Sequence, residues 1–312
     1  IIIALAWHLI SRFQFRQLFS VLSLFSLIVL ITSLFAALLY PSVGLLNYQS
    51  IRGAWKGIFW HKNHLGLFVS FINLIFLINI SLEFRKSKPV TAFWCASYLL
   101  SFYVLLNTDS VASYLTTIML TGLFLGLVVW LKIRDRLKRK HYLIAIGLLA
   151  IAGALVLLNL DIIFGLFNRN TSLTGRIPMW TYVFETYFVD RPILGYGANA
   201  FWYDIAARVD IGIAARYPDP IIIADNGFLD IAFNLGFSGL AAFMLLYMGA
   251  WWISLRNFWL EKTYVSTIPV LIMAFTFIAN LTWSMLFENE SFFLLLILMI
   301  IFQYRDADPS LE

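Results

Sequence analysis

The sequence predicts an all-α fold: a polytopic membrane helix bundle of about nine segments, truncated at its N-terminus, with a long, partly helical periplasmic loop. Three observations carry this. Of 312 residues, 61% are hydrophobic and 12% charged, against about 25% charged in an ordinary soluble domain; mean hydropathy is +0.84. A water-soluble core of this size cannot conceal so much apolar surface, so the solvent is a bilayer. The apolar residues also fall into runs of about the length that crosses roughly 30 Å of hydrocarbon at about 1.5 Å per residue. An open sheet edge would leave backbone groups unpaired in lipid, so the spans are helices.

The first run, IIIALAWHLI, is too short to cross alone, and the chain is expected to start inside a helix with upstream sequence missing. Further runs cover 19–40, 64–82, 90–106, 112–131, 142–160, 228–255, 264–283 and 291–304, the last short unless it begins nearer Leu286. Residues 1–312 read as a single integral membrane domain, with 161–226 as a large extracytoplasmic loop inside it. The single cysteine, Cys95, has no intramolecular partner, so no disulfide framework is expected.

Charge orients the spans. Fourteen of the 22 Lys and Arg residues lie in SRFQFRQL, EFRKSKP, KIRDRLKRKH, LRNFWLEK and the tail from Arg305, all on one side by alternation. The positive-inside rule makes that side the cytoplasm. The other eight are Arg52, Lys56 and Lys62 in the loop before the second full span, and Arg169, Arg176, Arg191, Arg208 and Arg216 in the long loop. Basic residues kept on the outer face of a short loop point to an anionic ligand or to lipid headgroups. The net charge of +5 is no argument for nucleic acid, because position outweighs the sum in a membrane protein, and no nucleic-acid partner is expected. Ionisable residues avoid mid-membrane positions: Asp161, Asp230, Glu288 and Glu290 fall near segment ends, which argues against an ion-coupled transporter.

Two outer stretches hold the polar hardware. GAWKGIFWHKNHLG, residues 53–66, brings together Lys56, His61, Lys62 and Asn63, with Trp55 and Trp60 as sugar platforms or interface anchors. HKNH lacks a third ligand and is no zinc motif, so no metal is expected. His61 reads as a phosphate or sugar contact and His64 as a cap. In the long loop, IPMWTYVFETYFV sets Met179, Trp180, Val183, Phe184, Tyr187 and Phe188 at helical spacing. Such a helix is expected in the headgroup region, with Trp180 as a substrate contact or a structural brace. GYGAN, with Gly195 and Gly197, reads as backbone geometry rather than a phosphate loop, since no strand precedes it. Arg191, Arg208 and Arg216 stand open between substrate contact and solvated charge. Asp225 precedes a helix and fits either an N-cap or a chemical role.

Three separated motifs, RGAWKGIFWHKNHLG, TGRIPMW and ADNGFLDIAFNLGFSGL, resemble the signature of the O-antigen ligase and polysaccharide polymerase superfamily, the first being closest to its exopolysaccharide polymerase branch. The resemblance covers roughly 52–239. It implies a glycosyltransferase in the plasma (inner) membrane that moves a glycan from an undecaprenyl-pyrophosphate-linked oligosaccharide to a glycan or lipid acceptor hydroxyl, on the outer face, without metal, nucleotide sugar or other cofactor. A metal-free site needs fixed cations against the pyrophosphate, and Arg suits this because it grips phosphate bidentately. Arg176, in the GR motif, matches the family's arginine; Arg52 and Lys62 are second choices. In the ligase branch a His-Asn pair occupies the return motif and its His is the proposed base; Asp225 and Asn226 stand there in this chain. Many relatives also carry Ser-Arg where Ser110 is followed by Val111, so Lys62, His61 or another cation substitutes or activity is altered. The alternatives are a polysaccharide transporter or flippase, and a catalytically inactive homologue.

Overall fold

The computed structural model describes residues 1–47, 53–84, 86–137, 176–216, 221–286 and 291–303. Its helices are α1 (Ile2–Arg12), α2 (Phe15–Leu39), α3 (Pro41–Gly44), α4 (Lys62–Glu83), α5 (Lys88–Asn107), α6 (Val111–Ile133), α7 (Arg176–Thr186), α8 (Ile205–Ala214), α9 (Gly227–Glu261), α10 (Thr267–Asn280) and α11 (Phe292–Gln303). Extended pairing among the described residues amounts to an isolated bridge between Leu45 and Trp55, so the all-α class holds. Among the described residues five helices, against the nine segments expected, are long and apolar enough to cross a membrane: α2, α4, α5, α6 and α9. The runs at 264–283 and 291–304 fold as α10 and α11, of 14 and 12 residues, which at about 1.5 Å per residue are roughly 21 and 18 Å long. The expected span at 142–160 lies outside the described residues.

The chain divides into two compact units, one of Ile1–Val128, Met248–Ala279 and Glu290–Glu312, the other of Val129–Tyr247 and Asn280–Asn289. In the first unit α4 is apolar on every side, with Leu65, Val69, Phe71, Ile72, Ile75 and Phe76 all buried, as a helix enclosed by other helices must be. Phe71 meets Phe275 and Phe293 at ring-centroid distances of 5.0 and 5.3 Å. Small polar residues close the seam to α6: Ser70 Oγ donates to the Ser113 carbonyl at 3.0 Å, and Thr117 Oγ1 to Ser70 Oγ at 2.9 Å. Between apolar helices in lipid, such bonds and close backbone approach replace the hydrophobic drive that water would supply.

The second unit gives the long loop a core of its own. Met179, Val183, Phe188, Phe201, Ile211 and Phe233 are buried together. The apolar face of α7, expected against lipid headgroups, is therefore covered by protein. Tyr182 and Tyr187 tie α7 to α8 by donating to the Asp210 carboxylate at 2.7 and 2.8 Å, which holds that carboxyl below its ordinary value.

Helix α9 is broken at Gly236, whose φ of 66° and ψ of −168° belong to a region essentially closed to other residues. The turn after α7 fills the break. Phe237 N–H donates to the Pro192 carbonyl at 2.8 Å and Ser238 N–H to that of Ile193 at 3.0 Å, while Gly197 N–H reaches the Asn234 carbonyl at 2.7 Å. A Cβ on Gly195 or Gly236 would run into this backbone, so the GYG stretch serves close chain approach. Gly236→Ala is expected to lower unfolding free energy by about 2 kcal/mol, read by thermal melting in detergent. Gly249→Ala, in open space on the same helix, is the control, expected to be neutral or stabilising by up to about 1 kcal/mol.

Candidate functional site

The sequence-predicted residues gather in two clusters, one in each unit. In the first, the chain before α4 is pinned by Trp55 N–H to the Asn107 carbonyl at 2.9 Å and Lys56 N–H to that of Gly44 at 2.8 Å. Trp55 is buried edge-on against Tyr103 at 5.7 Å, which removes it as a sugar platform, whereas Trp60 is exposed beside His61 and His64. His61, rather than His64, caps α4: its Nδ1 accepts the Asn63 N–H at 3.2 Å. Burial and then the neighbouring Lys62 cation lower the His61 pKa to about 4, so at neutral pH the ring is uncharged, with its proton on Nε2. It can donate a hydrogen bond to phosphate or sugar but cannot replace a missing cation.

Lys62 is buried, and its ammonium is paired with Asp109, at 2.8 Å from Oδ2 and 2.7 Å from the carbonyl. Asp109 stands between α5 and α6 with a positive φ of 49°, and its side chain is 68% exposed. The buried ammonium is thus neutralised by a carboxylate that itself faces water. Lys56 is half-buried nearby in sequence. Arg52 lies outside the described residues.

The second cluster is built on α7 and the return into α9. Arg176, first residue of α7, sets its Nε 3.1 Å from Asp225 Oδ2. Both side chains are largely covered, at 16% and 23% exposure. One turn on, Trp180 Nε1 donates to the Ala224 carbonyl at 2.8 Å. Asp225 is not the N-cap. Asn226 holds that place, its Oδ1 accepting Phe228 N–H at 3.0 Å and Leu229 N–H at 3.2 Å, which leaves Asp225 to point at Arg176 from a backbone with φ 53°. Burial raises the Asp225 pKa, and the Arg176 cation opposes that rise without cancelling it. Arg191 stands apart from this pair, its guanidinium 5.0 Å from the Tyr196 ring centre.

Sequence reasoning placed Asp230 only as a charge near a span end. In the structure it is buried and anchors the return: Oδ1 accepts Ala224 N–H at 3.0 Å and Trp202 Nε1–H at 2.6 Å, and Oδ2 accepts the Ser284 hydroxyl. Ala224 is thus held through both of its backbone groups, by Asp230 at N–H and Trp180 at the carbonyl, immediately before Asp225. The signal was the acid one turn into an apolar helix, which is rarely placed there without partners. Among the described residues no three His, Cys, Asp or Glu side chains gather to hold a metal ion.

Comparison with known proteins adds to this geometry. Residues 96–244 match the O-antigen ligase family model; both Arg176 and Asp225 fall inside the match, and residues 53–66 outside it. The chain is also 30% identical over 164 residues to the exopolysaccharide production protein ExoQ of Rhizobium meliloti (strain 1021), covering 51% of this chain and 37% of that protein. It thus spans little more than a third of the length of that relative. The resemblance drawn from the three motifs is borne out at family level.

Proposed function

We propose that the chain is a membrane glycosyltransferase of the polysaccharide polymerase or O-antigen ligase kind, taking a glycan from an undecaprenyl-pyrophosphate donor to an acceptor hydroxyl at the extracytoplasmic face of the plasma membrane. The observation that carries it is the Arg176–Asp225 pair inside the family-matched segment. The acceptor oxygen attacks the anomeric carbon, its proton passes to the Asp225 carboxylate, and the bond from that carbon to the pyrophosphate oxygen breaks with its electrons on the leaving group. Arg176 meets the charge that develops there, using further N–H donors on its guanidinium. Asn226 fixes the helix mouth, Trp180 holds the Ala224 carbonyl, and Lys56, Lys62, His61 and Asn63 supply a second polar cluster, in which Lys62 is paired with the exposed Asp109. Arg191 is a peripheral charge in this scheme. No metal is assigned a step.

Purified protein in lipid nanodiscs, given lipid-pyrophosphate oligosaccharide, is expected to yield longer lipid-linked chains if it is a polymerase. It should instead load a distinct added acceptor if it is a ligase. Translocation of the lipid-linked glycan with neither product overturns the proposal in favour of a transporter.

A further inference from the structure

The turn that fills the α9 break presents an apolar surface that is exposed among the described residues. Val189, Ile193 and Leu194 are 61%, 67% and 74% exposed, and Phe237, on the helix beside them, 58%. They form one patch, because the turn is bonded to the helix at Phe237 and Ser238 and Phe188 packs on Phe237 at 5.0 Å. Such a group of large apolar side chains is a binding surface when it is not a liability.

Position along α9 says what covers it. No charged residue occurs from 231 to 255, and Arg256 ends the run. Gly236 stands twenty residues before Arg256, a helical rise of about 30 Å, which is one hydrocarbon thickness. The break therefore marks the opposite boundary of the hydrocarbon, and the patch continues the lipid-facing surface of the span, where Leu245 is exposed. Asp190 and Arg191 lie between Val189 and Ile193, and the Arg191 guanidinium folds back over the Tyr196 ring. Apolar tips with charged and aromatic groups drawn to one side suit the junction of acyl chains and headgroups.

We propose that the turn formed by residues 189–194, seated in the break of α9, is a membrane-dipping wedge that takes phospholipid acyl chains and fixes the height of the core around α7 and α8 at the bilayer surface. The test is depth quenching in the full chain. With Cys95 changed to Ser, a single cysteine is introduced as Leu194→Cys or, for reference, as Glu185→Cys on the exposed charged side of α7, and labelled with an environment-sensitive fluorophore. Both proteins are checked for monodisperse elution and placed in phosphatidylcholine nanodiscs carrying shallow spin-labelled acyl chains. Quenching at 194 is expected to be at least about twofold that at 185, with reduced access of aqueous iodide. Equal lipid and iodide quenching at the two sites overturns the wedge. Protection from both quenchers, with cross-linking between copies through the thiol introduced at position 194, overturns it in favour of a protein partner.

Discussion

Arg176→Ala is expected to cut glycan transfer by about 10²–10³-fold, the loss that follows removal of a preorganised donor from developing charge. The amount of protein in the membrane fraction should be unchanged, because Arg176 sits at the start of α7 outside the spans. Removing the cation also strands the Asp225 carboxylate in a largely covered position, so destabilisation is the competing explanation for lost activity. Arg176→Lys separates the two. It keeps the charge beside Asp225 but loses the planar fork, and should restore melting temperature more fully than turnover. Activity retained in Arg176→Ala, measured as lipid-linked chain elongation, would remove the leaving-group role from this residue.

Asp225→Asn is the second large effect. Asn tolerates the same positive φ and still offers an oxygen to Arg176, yet it cannot take a proton. A loss of about 10²–10⁴-fold is expected for removal of a general base. The pH dependence carries the sharper signature. A base works ionised, and burial raises the Asp225 pKa despite the Arg176 cation, so the rate should fall as pH drops through a value above the ordinary carboxylate figure of about 3.9. A limb of this kind belongs to a carboxylate rather than a guanidinium. In Asp225→Asn the residual rate should lose it. A fully active variant with the limb intact would move the base elsewhere.

Much of the fold was legible because apolar run length is a coarse signal that survives any detail of packing. The runs at 64–82 and 90–106 became α4 and α5 with boundaries moved by one or two residues. The break at Gly236 was hidden by the same signal, since it lies in an uncharged, mostly apolar stretch and a tertiary partner, the Pro192–Ile193 backbone, fills it. Arg176 and Asp225 could each be named from motif type, but not as a pair: they are 49 residues apart and no local periodicity joins them. Asp225 and Asn226 are both good caps, so choosing between them needed the bonds from Phe228 and Leu229. Lys62 read as an open cation because its counter-ion, Asp109, comes from another loop 47 residues away.

The backbone at Asp225 restricts chemistry before any substrate arrives. A non-glycine residue with φ near 53° is drawn from a short set in which Asn, Asp and His are the enriched members, and two of those three carry a proton-accepting group. The resemblance places a histidine at the matching position in the ligase branch, so the change to aspartate is an exchange within the few residues that this left-handed corner accepts. Engineering this position follows the same preference: His, Asn and Gly should fold there and sort by activity, whereas Glu, the chemically nearest base, should fold at a cost of about 1 kcal/mol, as Arg216 and Lys262 do at similar φ.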